Sequence, residues 1–166
     1  KPAEYVANRE NPSYHPGRCA DILIDGKLAG TIGQIHPLVA EAYGIGGEVY
    51  VADLDFTTIE ASLAEERVFH SLPRFPAVTR DLALVCDESL TVGELERCIS
   101  AAAGKLLRKI NLFDIYRGPG VAAGKKSVAF SLELRADDRT LTDEDSTGVV
   151  DRVLKALKEE KDVTLR

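Results

Sequence analysis

Apolar and polar residues alternate clearly along three stretches of the second half of the chain. They are TRDLALVC (79–86), KINLFDIYR (109–117) and SVAFSLELR (127–135). A period of two is the mark of a half-buried strand. Between the first and second lies a period near 3.6, with Leu95, Cys98, Ile99 and Ala102 on one face, opened by Thr91 and Glu94 in capping-box spacing. A second helix is predicted from Thr142. Asp143, Glu144 and Asp145 fill its first turn, Lys155 and Lys158 come late, and Val150, Val153, Leu154 and Leu157 form its apolar stripe. Both charge placements suit the helix dipole. DVTLR (162–166) reads as a last strand.

That order, βαββαβ, predicts an α+β ferredoxin-like domain over 71–166: an antiparallel sheet with two helices on one face and the other face open. The same topology serves ligand-sensing regulatory domains and acylphosphatase-like enzymes. The latter need a glycine-rich anion loop beside a first-strand arginine, whereas GPGVAAGKK (118–126) falls between the second and third strands. It reads as a hairpin loop, because no helix follows it to supply an N-terminus.

The first half is less regular. Residues 20–36 predict a hairpin around Asp25-Gly26, a dipeptide suited to a two-residue turn. Pro37 opens a short helix that Gly44 ends, residues 48–56 alternate as a strand, and a helix is predicted over about 57–66. The first dozen residues suggest no element. So small an apolar inventory is not expected to bury a core alone, and the half reads as the tail of a larger mixed sheet. LPRFP (72–76) sets the domain boundary, since its two prolines exclude helix and central strand.

Strand alternation sorts the side chains of the second domain by face. Leu82, Leu84, Phe113, Ile115, Val128, Phe130, Leu132 and Leu134 are expected in the core. Asp81, Ala83, Asp114, Tyr116, Ser127, Ala129, Ser131 and Glu133 are expected on the open face. A nucleic-acid base laid on Tyr116 would gain ~1–3 kcal/mol by stacking. Asp114 and Ser127 would then read its edge; a carboxylate suits guanine, which presents imino and amino protons. Arg80, Arg117, Lys125 and Lys126 are candidates to hold phosphates. Each residue also has a plainer reading: Tyr116 as packing, Asp114 as a solvated charge or a partner for Arg80 or Arg117, the lysine pair as a solvated turn.

Composition narrows the rest. Residues 1–70 hold 5 Lys and Arg against 11 Asp and Glu, while 71–166 hold 16 of each. Binding of nucleic acid by charge alone is therefore not expected. Cys19, Cys86 and Cys98 are odd in number and far apart, which supports neither a disulfide framework nor a metal site and fits a reducing cytoplasm. Cys86 and Cys98 are expected to be packing thiols. No nucleophile motif or histidine cluster exists, so no catalytic residue is assigned. There is no apolar run near the ~20 residues of a membrane helix. The chain contains no Met, and the simplest reading is a segment of a longer protein.

FPAVTRDLA, LFDIYRG, GKKS and RTLTDE, closed by VTLR, resemble in order and spacing the ferredoxin-fold anticodon-binding domain of the bacterial phenylalanyl-tRNA synthetase β subunit, across nearly all of 71–166. HPGRCADILIDGKLAGTIGQIHP and the strand ending ADLDF are similar to the end of that subunit's catalytic-like, non-catalytic module. The resemblance implies a cytoplasmic α2β2 enzyme that joins phenylalanine to its tRNA, with ATP and magnesium on an α subunit absent here. It implies that Asp114, Tyr116 and Ser127 meet the first anticodon base, a guanine. His15 and Arg18 of HPGR then take structural roles, with His15 fixing the entrance to the hairpin.

Overall fold

In a computed structural model of the chain, residues 2–63, 69 and 72–166 are described. The chain divides into two compact units, Lys1–Phe69 and His70–Arg166.

The first unit is an antiparallel four-stranded sheet in the order β1 (Ala3–Ala7), β2 (Tyr14–Ile24), β3 (Lys27–Ile35), β4 (Tyr50–Leu54). Asp25 and Gly26 join β2 to β3 with φ of 50° and 73°, the positive pair that a type I′ turn demands. Strand β1 lies in the stretch for which the sequence suggested nothing. All five of its residues are exposed, so no buried face left a pattern to find. Helix α1 (Pro37–Ala42) begins at Pro37, capped by the His36 side chain, and Gly44 follows it with φ of 70°. Helix α2 (Phe56–Ala61) is capped by Asp55. The expected continuation over 64–66 lies outside the described residues. Few apolar side chains here are buried; Tyr43 is 81% and Phe56 75% exposed.

Arg18 ties this sheet together across strands. Its Nη1 donates to Gln34 at 2.7 Å, Glu48 at 2.8 Å and the Tyr50 hydroxyl at 3.2 Å. The His15 Nδ1 accepts from the Gly17 N–H at 3.0 Å, so both residues of HPGR hold backbone and neighbouring side chains in place.

The second unit has strands β5 (Val78–Asp87), β6 (Leu107–Tyr116), β7 (Lys125–Leu134) and β8 (Thr164–Leu165), with helices α3 (Val92–Ala103) and α4 (Asp143–Lys161). The sheet order is β6-β7-β5-β8, with every neighbouring pair antiparallel. This is the expected βαββαβ arrangement. Both helices start with a complete capping box, Thr91 with Glu94 and Thr142 with Asp145. The extended core belongs to this unit. Leu84, Cys86, Leu95, Ile99, Val128, Phe130, Leu132, Leu134, Val149, Val153 and Leu157 are all fully buried. In α4 the centre of the buried stripe is Val149, Val153 and Leu157, with Val150 and Leu154 flanking it half-buried. The i, i+4, i+8 line is the one that points straight at the sheet.

Phe113 departs from expectation. The register steps from Leu112 opposite Phe130 to Asp114 opposite Ala129, leaving Phe113 as the extra residue of a β-bulge. It is 56% exposed, not in the core. The bulge resolves a conflict in the sequence, where Ile110 and Ile115 both pack against the core but are an odd number of residues apart.

Among the described residues no helix is long and apolar enough to cross a membrane. The contrast between two phenylalanines tests the packing. Phe130→Ala is expected to destabilise the chain by about 3–5 kcal/mol, and Phe113→Ala by well under about 1 kcal/mol, both read from urea unfolding.

Candidate nucleic-acid interface

Strand pairing lines up residues across the open face in rows. Tyr116 stands opposite Ser127, which stands opposite Val85, which meets Thr164. The next row is Asp114, Ala129 and Ala83, and the Arg166 N–H donates to the Ala83 carbonyl at 2.8 Å. Asp114 and Tyr116 therefore share one face, as expected, about 7 Å apart along the strand.

Asp114 is exposed, and no described residue donates a hydrogen bond to its carboxylate. Tyr116 is half-buried and held at its tip. Its hydroxyl donates to the Pro119 carbonyl at 3.2 Å. A Cβ at Gly118 would lie 2.8 Å from that hydroxyl, so a larger residue there would push the tip of the ring aside. The hairpin loop thus braces the aromatic ring. Ser127 is only 4% exposed. The open face covers its hydroxyl in the free protein, so edge reading by Ser127 requires neighbouring side chains to give way.

The four candidate cations are all engaged within the domain. Arg80 faces the helices: its Nη2 donates to Asp143 at 2.6 Å and to the Ser146 hydroxyl at 2.8 Å, bracing the start of α4. The alternation explains this, because Arg80 lies opposite buried Leu132. Lys125 and Lys126 belong to β7 rather than to the loop. Lys126 is 6% exposed, opposite buried Cys86, with its Nζ donating to the Glu88 carbonyl at 3.0 Å. Lys125 pairs with Asp87 at 3.2 Å. Arg117 donates to Glu88 through Nε at 2.9 Å and Nη2 at 2.7 Å. Each has a partner, and Arg80 and Lys126 lie away from the open face.

Sequence reasoning missed Arg166. Its guanidinium carbon lies 5.0 Å from the centre of the Tyr116 ring, within cation–π range. The only trace in the sequence is its position two residues after Thr164, on the parity of the open face.

Three or more His, Cys, Asp or Glu do not converge on a possible metal site among the described residues. Cys86 and Cys98 are buried free thiols, and burial pushes both thiols up from their ordinary value.

Comparison with known proteins bears on the family. Residues 73–166 match the family model described as the ferredoxin-fold anticodon binding domain. The chain belongs to that family. Residues 1–56 match a second model, the phenylalanyl tRNA synthetase beta chain CLM domain. The anticodon-binding-fold chain is also similar to curated proteins named phenylalanine–tRNA ligase beta subunit. It is 47% identical to that of Symbiobacterium thermophilum over 89% of this chain and 17% of the relative. With that of Bacillus subtilis the identity is 44% over 98% of this chain and 20% of the relative, and with that of Clostridium acetobutylicum 40% over 93% and 19%. The chain thus spans about a fifth of the length of these relatives.

The Arg117–Glu88 pair gives a pH test. Hydrogen bonding by the Arg117 guanidinium holds the Glu88 carboxyl below its ordinary 4.5. A lowered carboxyl contributes stability above pH 4.5 and loses it as pH falls through the folded value. Carbon-detected NMR titration is expected to show Glu88 titrating below 4.5, and Arg117→Ala to return it to about 4.5.

Proposed function

We propose that this chain reads the anticodon of the tRNA for phenylalanine as a non-catalytic part of phenylalanine–tRNA ligase. The reading rests on one observation above the others. An anticodon-binding family domain presents an exposed carboxylate with no donor among the described residues, Asp114, beside a braced aromatic ring, Tyr116, on its open sheet face. A carboxylate needs donors when it is covered by a ligand, and guanine's imino and amino groups supply two. An unpaired loop base has its face free to stack.

In this reading residues 1–70 are the end of the β subunit's catalytic-like module, and 71–166 bind the anticodon stem-loop. The α subunit of a cytoplasmic α2β2 enzyme holds ATP, magnesium and phenylalanine. This chain's own residues supply binding and discrimination: Tyr116 orients the base, and Asp114 selects among bases by what their edges donate. Ser127 joins once the face opens. Arg117 and Lys125 reach phosphates only by exchanging Glu88 and Asp87 for the RNA. The family match favours this reading over a small-molecule sensor, which would not need Asp114 and Tyr116 exposed together.

Two measurements test it. Tyr116→Ala in the 166-residue chain is expected to weaken binding to the phenylalanine tRNA by about 5- to 150-fold, the equivalent of one lost base stack. Replacing the first anticodon guanine is expected to weaken binding to the wild-type chain; equal affinity for both tRNAs would end the base-reading proposal. The salt dependence should also be shallow, with the logarithmic slope equivalent to only a few phosphate contacts.

A further inference from the structure

We propose that Arg166 is the second wall of the base site, closing over a nucleic-acid base whose other face rests on Tyr116; this rests on the base-reading function above.

Strands β8 and β6 are the two edges of the sheet, with β5 and β7 between them. Three inter-strand spacings make about 14 Å. Arg166 extends from one side and Tyr116 from the other, and they meet with the guanidinium carbon 5.0 Å from the ring centre. Arg166 Nη2 also comes within 3.8 Å of where a Cβ at Gly120 would lie, so the side chain spans the sheet as far as the β6–β7 loop. Between the two lie the small side chains Ala83, Ala129 and Ser127. Ala129 is 8% and Ser127 4% exposed although they belong to the open face. Arg166 and Tyr116 meet on the same face as these small residues.

Charge separates Arg166 from the other cations near the loop. Arg117 and Lys125 have carboxylate partners, and Lys126 donates to a carbonyl. No described carboxylate pairs with Arg166, even though Asp114 lies in the same row. Its guanidinium rests on an aromatic face, the environment in which its flat, weakly hydrated group also stacks on bases.

The spacing is too small for a base to be already accommodated. Flat groups in contact sit about 3.5 Å apart, so a base held on both faces needs about 7 Å between its walls. The guanidinium must rise by at least about 2 Å, which its rotatable stem allows while the Arg166 backbone stays bonded to Ala83. That opening also begins to uncover Ser127.

The test compares Arg166→Ala and Arg166→Lys with wild type in the 166-residue chain. Binding to an anticodon stem-loop with guanine first is measured by fluorescence anisotropy across a salt series. Unchanged urea midpoints establish that the variants are folded. Arg166→Ala is expected to lose about 5- to 30-fold in affinity. Arg166→Lys, which keeps the charge and the salt slope but not the plane, should lose at least about 3-fold. In a Tyr116→Ala background the effect of Arg166→Ala should shrink, since both act on one base. Equal or tighter binding by Arg166→Ala would make the guanidinium a mere occupant of the free ring and overturn the proposal. Wild-type affinity for Arg166→Lys would overturn the flat wall. Failure of the base-reading function itself shows separately, as indifference of the wild-type chain to Tyr116→Ala and to the identity of the first base.

Discussion

Strand β7 pairs on both sides, and its alternation governs the second unit. Val128, Phe130, Leu132 and Leu134 are fully buried against the helices. A slip of one residue would turn that apolar row outward, so the register is held by the same burial that stabilises the unit. With the register fixed, the partners of Ser127 and Ala129 are fixed too. Tyr116 and Asp114 come to one face because Val128 and Phe130 must lie on the other. The proposed recognition surface is thus a by-product of core packing rather than an independently built feature.

That dependence explains what could be read from the residues. Period-two strands and capped, period-3.6 helices carry their own pattern, so the βαββαβ order and the face shared by Asp114 and Tyr116 were legible. Four features were not. Strand β1 has no buried side, and exposure erases alternation. The bulge at Phe113 is a local change of count that alternation alone assigns to the wrong residue. The partners of the cations are set by tertiary neighbours: Arg80 meets Asp143, 63 positions later in the chain, and no short-range spacing announces that. Arg166 was overlooked for a similar reason. It lies 50 positions from the ring it covers.

The electrostatic picture follows from those pairings. A unit with 16 positive and 16 negative side chains in residues 71–166 has most of its candidate phosphate ligands already engaged. Replacing a protein carboxylate by a phosphate exchanges one ion pair for another, with small net gain near the surface. In the proposed reading discrimination then comes from shape and hydrogen bonding at the sheet, where Asp114, with no ion-pair partner among the described residues, and Arg166, stacked on Tyr116, share the open face. Carboxylate and cation are both left available to a ligand that has donors on its edge and two flat faces.

The bulge at Phe113 also gives strand β6 one residue of slack. Phe113 and Asp114 there answer a single partner on β7, so losing Phe113 would leave Ile110 facing the helices and Asp114 and Tyr116 facing outward. An insertion or loss between Asp114 and Tyr116 has no such cushion and would set the two side chains on opposite sides. Length changes in this strand during descent should therefore gather at the bulge, and the strand can drift in length there while Asp114 and Tyr116 keep the same phase.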